Sequence, residues 1–69
     1  MKTSQKIRMA LAYRNMSEAE LARKIGSTPS AFNQRLKTDK FTYEELEKIG
    51  EALGARYVAG FEFEDGTKI

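Results

Sequence analysis

Up to Gly54 the apolar residues recur at steps of three and four, and beyond it they recur at steps of two. The first spacing marks one face of a helix and the second one face of a strand. The pattern therefore predicts a helical body followed by an extended tail. From Ser4 to Tyr13 the residues favour helix, with Ile7, Ala10, Leu11 and Arg14 on one stripe. Asn15 ends it, because Asn tolerates a left-handed turn better than any residue but Gly. Ser17 and Glu20 then have the spacing of a capping box, and Met16 and Leu21 that of a hydrophobic staple, so a second helix starts at Ser17. It carries Leu21, Ala22 and Ile25 inward and stops at Gly26.

Thr28-Pro29 opens a third helix, Pro29 to Lys37, as a cap followed by a proline whose missing N–H costs nothing at that position. Phe32, Arg35 and Leu36 lie on or near its inward stripe. The short Gly26-Ser27-Thr28 link suits two short helices set at a steep angle. After the polar break Thr38-Asp39-Lys40, Phe41 to Leu46 repeats the staple and cap, and a fourth helix buries Leu46, Ile49 and Leu53 and ends at Gly54. In the tail, Tyr57, Ala59, Phe61 and Phe63 alternate with Arg56, Val58, Gly60, Glu62 and Glu64, the period of a strand. Asp65-Gly66 signals a two-residue hairpin turn, with Thr67-Lys68-Ile69 as a short return.

The expected fold is mainly α, four helices with a C-terminal β-strand or short hairpin, in a single domain over 1–69 with residues 4–54 as its core. A chain this short buries only about 60% of its unfolded surface. It has no Cys and no His, which excludes disulfides, zinc sites, and thiol or imidazole chemistry. Self-association is the remaining route to extra stability. No nucleophile, base and orienter group together, so no enzyme is expected, and neither a metal, a cofactor nor a small-molecule ligand. No apolar run approaches the roughly 20 residues of a membrane span, and no leader pattern follows Met1-Lys2, so a soluble, cytoplasmic protein without a membrane partner is expected.

Charge adds a direction. Residues 1–40 carry nine basic side chains against three acidic ones, a balance of +6, and the remainder carry three against seven, a balance of −4, giving the net +2. A basic half beside an acidic half fits a surface that meets a polyanion, or an ordinary solvated helical surface.

The stretch Met16-Ser17-Glu18-Ala19-Glu20-Leu21-Ala22-Arg23-Lys24-Ile25-Gly26-Ser27-Thr28-Pro29-Ser30-Ala31-Phe32-Asn33-Gln34-Arg35-Leu36, followed by Leu46 to Gly54, resembles the phage repressor and Cro type (XRE-type) helix-turn-helix domain. Leu21, Ala22, Ile25, Gly26 and Phe32 stand where that family has its packing residues and turn glycine. The likeness spans roughly residues 4–54 and implies a double-stranded DNA partner, with the third helix in the major groove.

Elementary physics agrees, since the major groove admits one helix and this one turns Pro29, Ser30, Asn33, Gln34 and Lys37 outward. Asn and Gln pair bidentately with adenine, Lys reaches guanine, and Pro29 offers apolar contact to a thymine methyl. Asn33 and Gln34 are the leading base readers, with Ser30 next. Candidate phosphate contacts are the caps Ser17 and Thr28 with Arg14, Lys24, Thr38, Lys40 and Tyr43, and Lys37 at the groove edge. For Arg23 and Lys24 a purely solvated role stands beside a DNA contact. Two features depart from the family. Glu18 replaces a phosphate-touching Gln, and Leu11 and Leu36 replace an Arg and Glu pair, so a direct apolar contact is expected there.

The family likeness stops before Tyr57. The tail is expected to pair antiparallel with that of a second chain through Tyr57, Ala59, Phe61 and Phe63, setting the recognition helices about 34 Å apart on a palindromic operator, or else to fold back on its own helices. The function expected is a sequence-specific transcriptional regulator, a dimeric repressor in a bacterium, phage or mobile element. The alternative is a protein-interaction module, an antitoxin or adaptor, on the same scaffold.

Overall fold

The second, third and fourth helices each begin on a side chain that accepts an otherwise unpaired N–H, and every helix ends just before a residue with positive φ or within two residues of one. The computed structural model describes residues 2–69. Its helices are α1 (Thr3–Arg14), α2 (Glu18–Lys24), α3 (Pro29–Thr38) and α4 (Tyr43–Ala52), within about a residue or two of the expected limits. Ser17 Oγ accepts from Glu20 N at 3.0 Å, Thr28 Oγ1 from Ala31 N at 3.1 Å, and Thr42 Oγ1 from Glu45 N at 3.1 Å. The reciprocal half of a capping box forms at Thr42, whose N–H donates to Glu45 Oε1 at 2.9 Å.

The C-termini share a device. Asn15 at φ 55° ends α1, with Met16 N donating to Leu11 O at 2.9 Å. Gly26 at φ 77° ends α2, with Ser27 N donating to Ala22 O at 2.8 Å. These bonds close the last turn and send the chain off sharply, which is why three residues suffice between α2 and α3. A Cβ added at Gly26 would meet nothing within 4 Å, so conformation and not space selects glycine there.

The core is one cluster drawn from all four helices: Ile7 and Leu11 of α1, Leu21 and Ala22 of α2, Phe32 and Leu36 of α3, and Ile49 of α4 with Leu53 just beyond it. Leu11 and Leu36 both lie in it, as their apolar character requires. Met16, Ile25, Phe41 and Leu46 pack around its edge, so both staples place their residues against the core. Gly50 lets the chain past α4 return over it, since a Cβ there would lie 3.0 Å from Tyr57 N.

The expected C-terminal strand does not form. Among the described residues, only an isolated antiparallel bridge, Glu62 to Lys68, is present. Phe61 N donates to Ile69 O, Ile69 N to Phe61 O at 2.6 Å, and Phe63 N to Thr67 O at 2.7 Å. The turn also differs from the expected two-residue Asp65-Gly66: Gly66 N donates to Phe63 O at 2.9 Å and Gly66 has φ 89°, making a three-residue loop, Glu64 to Gly66, of the bulged kind. Two paired segments without a third strand or a helix beneath them do not sustain a ladder. Among the described residues, no helix is long and apolar enough to cross a membrane.

Candidate nucleic-acid interface

The outward face of α3 follows from its inward one. Phe32 and Leu36, each 2% exposed, pin the helix to the core, and residues that avoid that stripe are turned to solvent. Pro29, Ser30, Gln34 and Lys37 are exposed there and Asn33 is half-buried. Ser30, Asn33, Gln34 and Lys37 recur at helical spacing along one strip. Ala31, which sequence reasoning passed over, is also exposed; its methyl is of the kind that meets a thymine methyl.

The start of α3 presents less backbone to a phosphate than its position suggests. Pro29 has no N–H, and Ala31 N is taken by Thr28 Oγ1. That leaves Ser30 N–H and the hydroxyls themselves. Ser17 and Thr28 accept with their oxygens as caps, and each keeps a hydroxyl hydrogen to donate.

Beyond α3 the chain is held by Arg35. Its Nε and Nη2 donate to Lys40 O at 2.9 and 2.7 Å, and Nη2 donates to Glu45 Oε1 at 2.5 Å. The guanidinium carbon also lies 5.5 Å from the centre of the Phe41 ring. One side chain thus ties α3, the following loop and the first turn of α4. The Arg35 hydrogen bond, aided by that from Thr42 N, pulls the Glu45 carboxyl down to about 2. Asp39, at φ 56°, turns the chain and accepts Ser4 N of α1 at 2.7 Å; that bond holds its carboxyl below the ordinary value. The segment carrying Lys37, Thr38 and Lys40 is therefore anchored on both sides, with all three exposed. Thr38 Oγ1 donates to Arg35 O at 3.3 Å.

Arg14 is engaged within the chain. Its Nε donates to Leu53 O at 2.7 Å and Nη2 to Gly54 O at 3.1 Å, so it caps the C-terminus of α4, where free carbonyls attract a cation. Lys24 is exposed and borders a surface depression shared with Lys48 and Glu51 of α4. Arg23 is exposed. Tyr43, 57% exposed, packs edge-on against Tyr57 with ring centres 5.7 Å apart. Sequence reasoning also missed the bridging role of Arg35 and the ion pair of Arg8 with Glu18, whose Nε and Oε2 are 3.6 Å apart. These pairs span separate helices, and no local spacing announces them.

The tail splits into two faces. The Phe61–Ile69 pairing puts Phe61, Phe63 and Ile69 on one face, 73%, 52% and 72% exposed, and Glu62 with Lys68 on the other, 4.0 Å apart. Ala59 is exposed and Tyr57 half-buried. Tyr57 lies against α4, but the aromatic face beyond it is left uncovered by its own helices.

No curated protein and no solved structure matches the chain. Among protein families, the Cro/C1-type HTH DNA-binding domain matches over residues 6–57, which takes in all of α2, α3 and α4 and most of α1. The chain belongs to the Cro/C1-type helix-turn-helix DNA-binding domain family, and it is a DNA-binding regulator.

Proposed function

We propose that the protein is a non-enzymatic, sequence-specific repressor of transcription, acting in the cytoplasm as a homodimer on a palindromic operator with α3 in the major groove. The observation that carries this reading is the outward strip of α3: Ser30, Asn33, Gln34 and Lys37 stand on a helix pinned from behind by Phe32 and Leu36. A rigidly seated helix with free amides, a hydroxyl and an ammonium on one face has the groups that base edges pair with. Lys37, Lys40, Thr38 and the hydroxyls of Ser17 and Thr28 then serve phosphates, with Lys24 and Tyr43 at the margin.

The homodimer draws support from the tail. Phe61 and Phe63 turn their N–H groups into the hairpin, so Gly60 and Glu62 leave theirs on the outer edge by alternation. A second copy adding there also covers the Phe61, Phe63 and Ile69 face. The same uncovered face favours the second reading, an adaptor or antitoxin that binds a partner protein.

Binding to labelled duplexes over a salt series separates the two. A regulator loses affinity steeply as salt rises, whereas an adaptor binds no duplex. Asn33→Ala or Gln34→Ala weakens cognate binding by about 1–3 kcal/mol and leaves random DNA unaffected, while Lys37→Ala weakens both. Equal losses on cognate and random DNA for the two amide variants would rule them out as base readers.

A further inference from the structure

We propose that Arg8, on α1, is a DNA phosphate contact beside the start of α2, where it also offsets the charge of Glu18; this rests on the DNA-binding reading above. In a helix-turn-helix the first of the two helices crosses the sugar-phosphate backbone while the second enters the groove. Here the crossing helix is α2, and its first residue is Glu18, a carboxylate 41% exposed. Glu20 follows within the same turn and is also exposed. Left alone, these carboxylates would repel the phosphates that α2 has to approach.

Arg8 offsets one of these two charges. Its Nε lies 3.6 Å from Glu18 Oε2, and its side chain is 47% exposed. Among the described residues it is the one basic side chain of α1 paired with an acid of α2. Guanidinium is a planar fork of five N–H donors. The ion pair with Glu18 lies on the Nε side at 3.6 Å, too long for a hydrogen bond, and among the described residues no protein group accepts from either Nη nitrogen. Arg14 and Arg35 differ: both donate to backbone carbonyls. Arg8 therefore keeps its donor fork free, which suits bidentate recognition of a phosphate. Glu18 is the charge that opposes phosphate in this arrangement, and Arg8 is the contact.

Charge arithmetic makes the proposal testable, because the two partners act on DNA with opposite signs. Affinity is measured on a duplex selected by the wild-type protein, over a salt series, for wild type, Arg8→Ala, Arg8→Lys, Glu18→Gln and the Arg8→Ala/Glu18→Gln double variant, each with a melting curve. Arg8→Ala is expected to weaken binding about tenfold or more and to lower the logarithmic salt slope by about 1. Arg8→Lys keeps the slope. Glu18→Gln tightens binding, because a repelling charge is gone and Arg8 is released, and the double variant binds better than Arg8→Ala alone.

A pair that only braces α1 against α2 behaves otherwise: both single variants lower affinity together, or neither does, in step with melting temperature. That result overturns the proposal while leaving DNA binding intact. Wild-type protein that binds no duplex overturns both the proposal and the reading beneath it, with Lys37→Ala as the control that phosphate contacts register in the salt slope.

Discussion

Glu45→Gln is the cleanest probe of how the segment after α3 is held. The substitution conserves shape and leaves an oxygen to accept Thr42 N, so the cap of α4 survives and only the charge opposite Arg35 is lost. The pair is close, 2.5 Å between Nη2 and Oε1, with the side chains 42% and 34% exposed. A charge-assisted hydrogen bond contributes about 1.5–3 kcal/mol, and solvent screening of an exposed pair reduces the contribution to about 1 or less. For this half-shielded geometry a loss of about 1–2 kcal/mol at pH 7 follows. In a domain this small each kcal/mol lowers the melting temperature by roughly 4–8 °C.

The pH dependence supplies the sharper test. Folding lowers the Glu45 carboxyl from 4.5 to about 2. The charged form is thus favoured in the folded state, so its stabilisation is full above 4.5 and drains away as pH falls toward 2. Urea denaturation of wild type and Glu45→Gln at a series of pH values should show a gap at pH 7 that narrows steadily through that window. A gap of constant size down to acid pH, or none at neutral pH, would refute the assignment of the stabilisation to this ion pair.

Three further outcomes are expected. Leu36→Ala, at a site 2% exposed, costs about 2–5 kcal/mol and leaves little folded protein by circular dichroism. Arg14→Ala frees two carbonyls at the end of α4 and costs about 1–2 kcal/mol, but the salt slope of DNA binding is expected to stay at its wild-type value, since the guanidinium is engaged by those carbonyls. Replacing Phe61 and Phe63 together by Ser shifts sedimentation from dimer to monomer with helix content unchanged; a wild type that sediments as a monomer at high micromolar concentration excludes the dimer.

What could be read from the residues in order was local. Ser17, Thr28 and Thr42 act within three residues of their partners, and Asn15 and Gly26 turn the chain so that Met16 and Ser27 donate to carbonyls five residues back. Those signals located all four helices, and the apolar spacing predicted the core. The ties between elements join residues far apart in the chain: Asp39 to Ser4, Arg35 to Glu45 and Arg14 to Leu53. Arg14 reads as one more cation for DNA because nothing local announces its bonds to the end of α4. The tail failed for a different reason. Period-two alternation states which face a strand would bury, but a ladder needs a neighbour, and a single chain supplies only the Glu62–Lys68 bridge.

Whether α3 reads bases is decided by selecting bound duplexes from a random pool with the wild-type protein and with an Asn33→Ala/Gln34→Ala variant. Wild type is expected to enrich two inverted half-sites with centres about 10 base pairs apart, and the variant to lose the preference at the positions those amides contact. A pool with no enriched sequence, or the same sequence enriched by both proteins, would contradict base reading by α3.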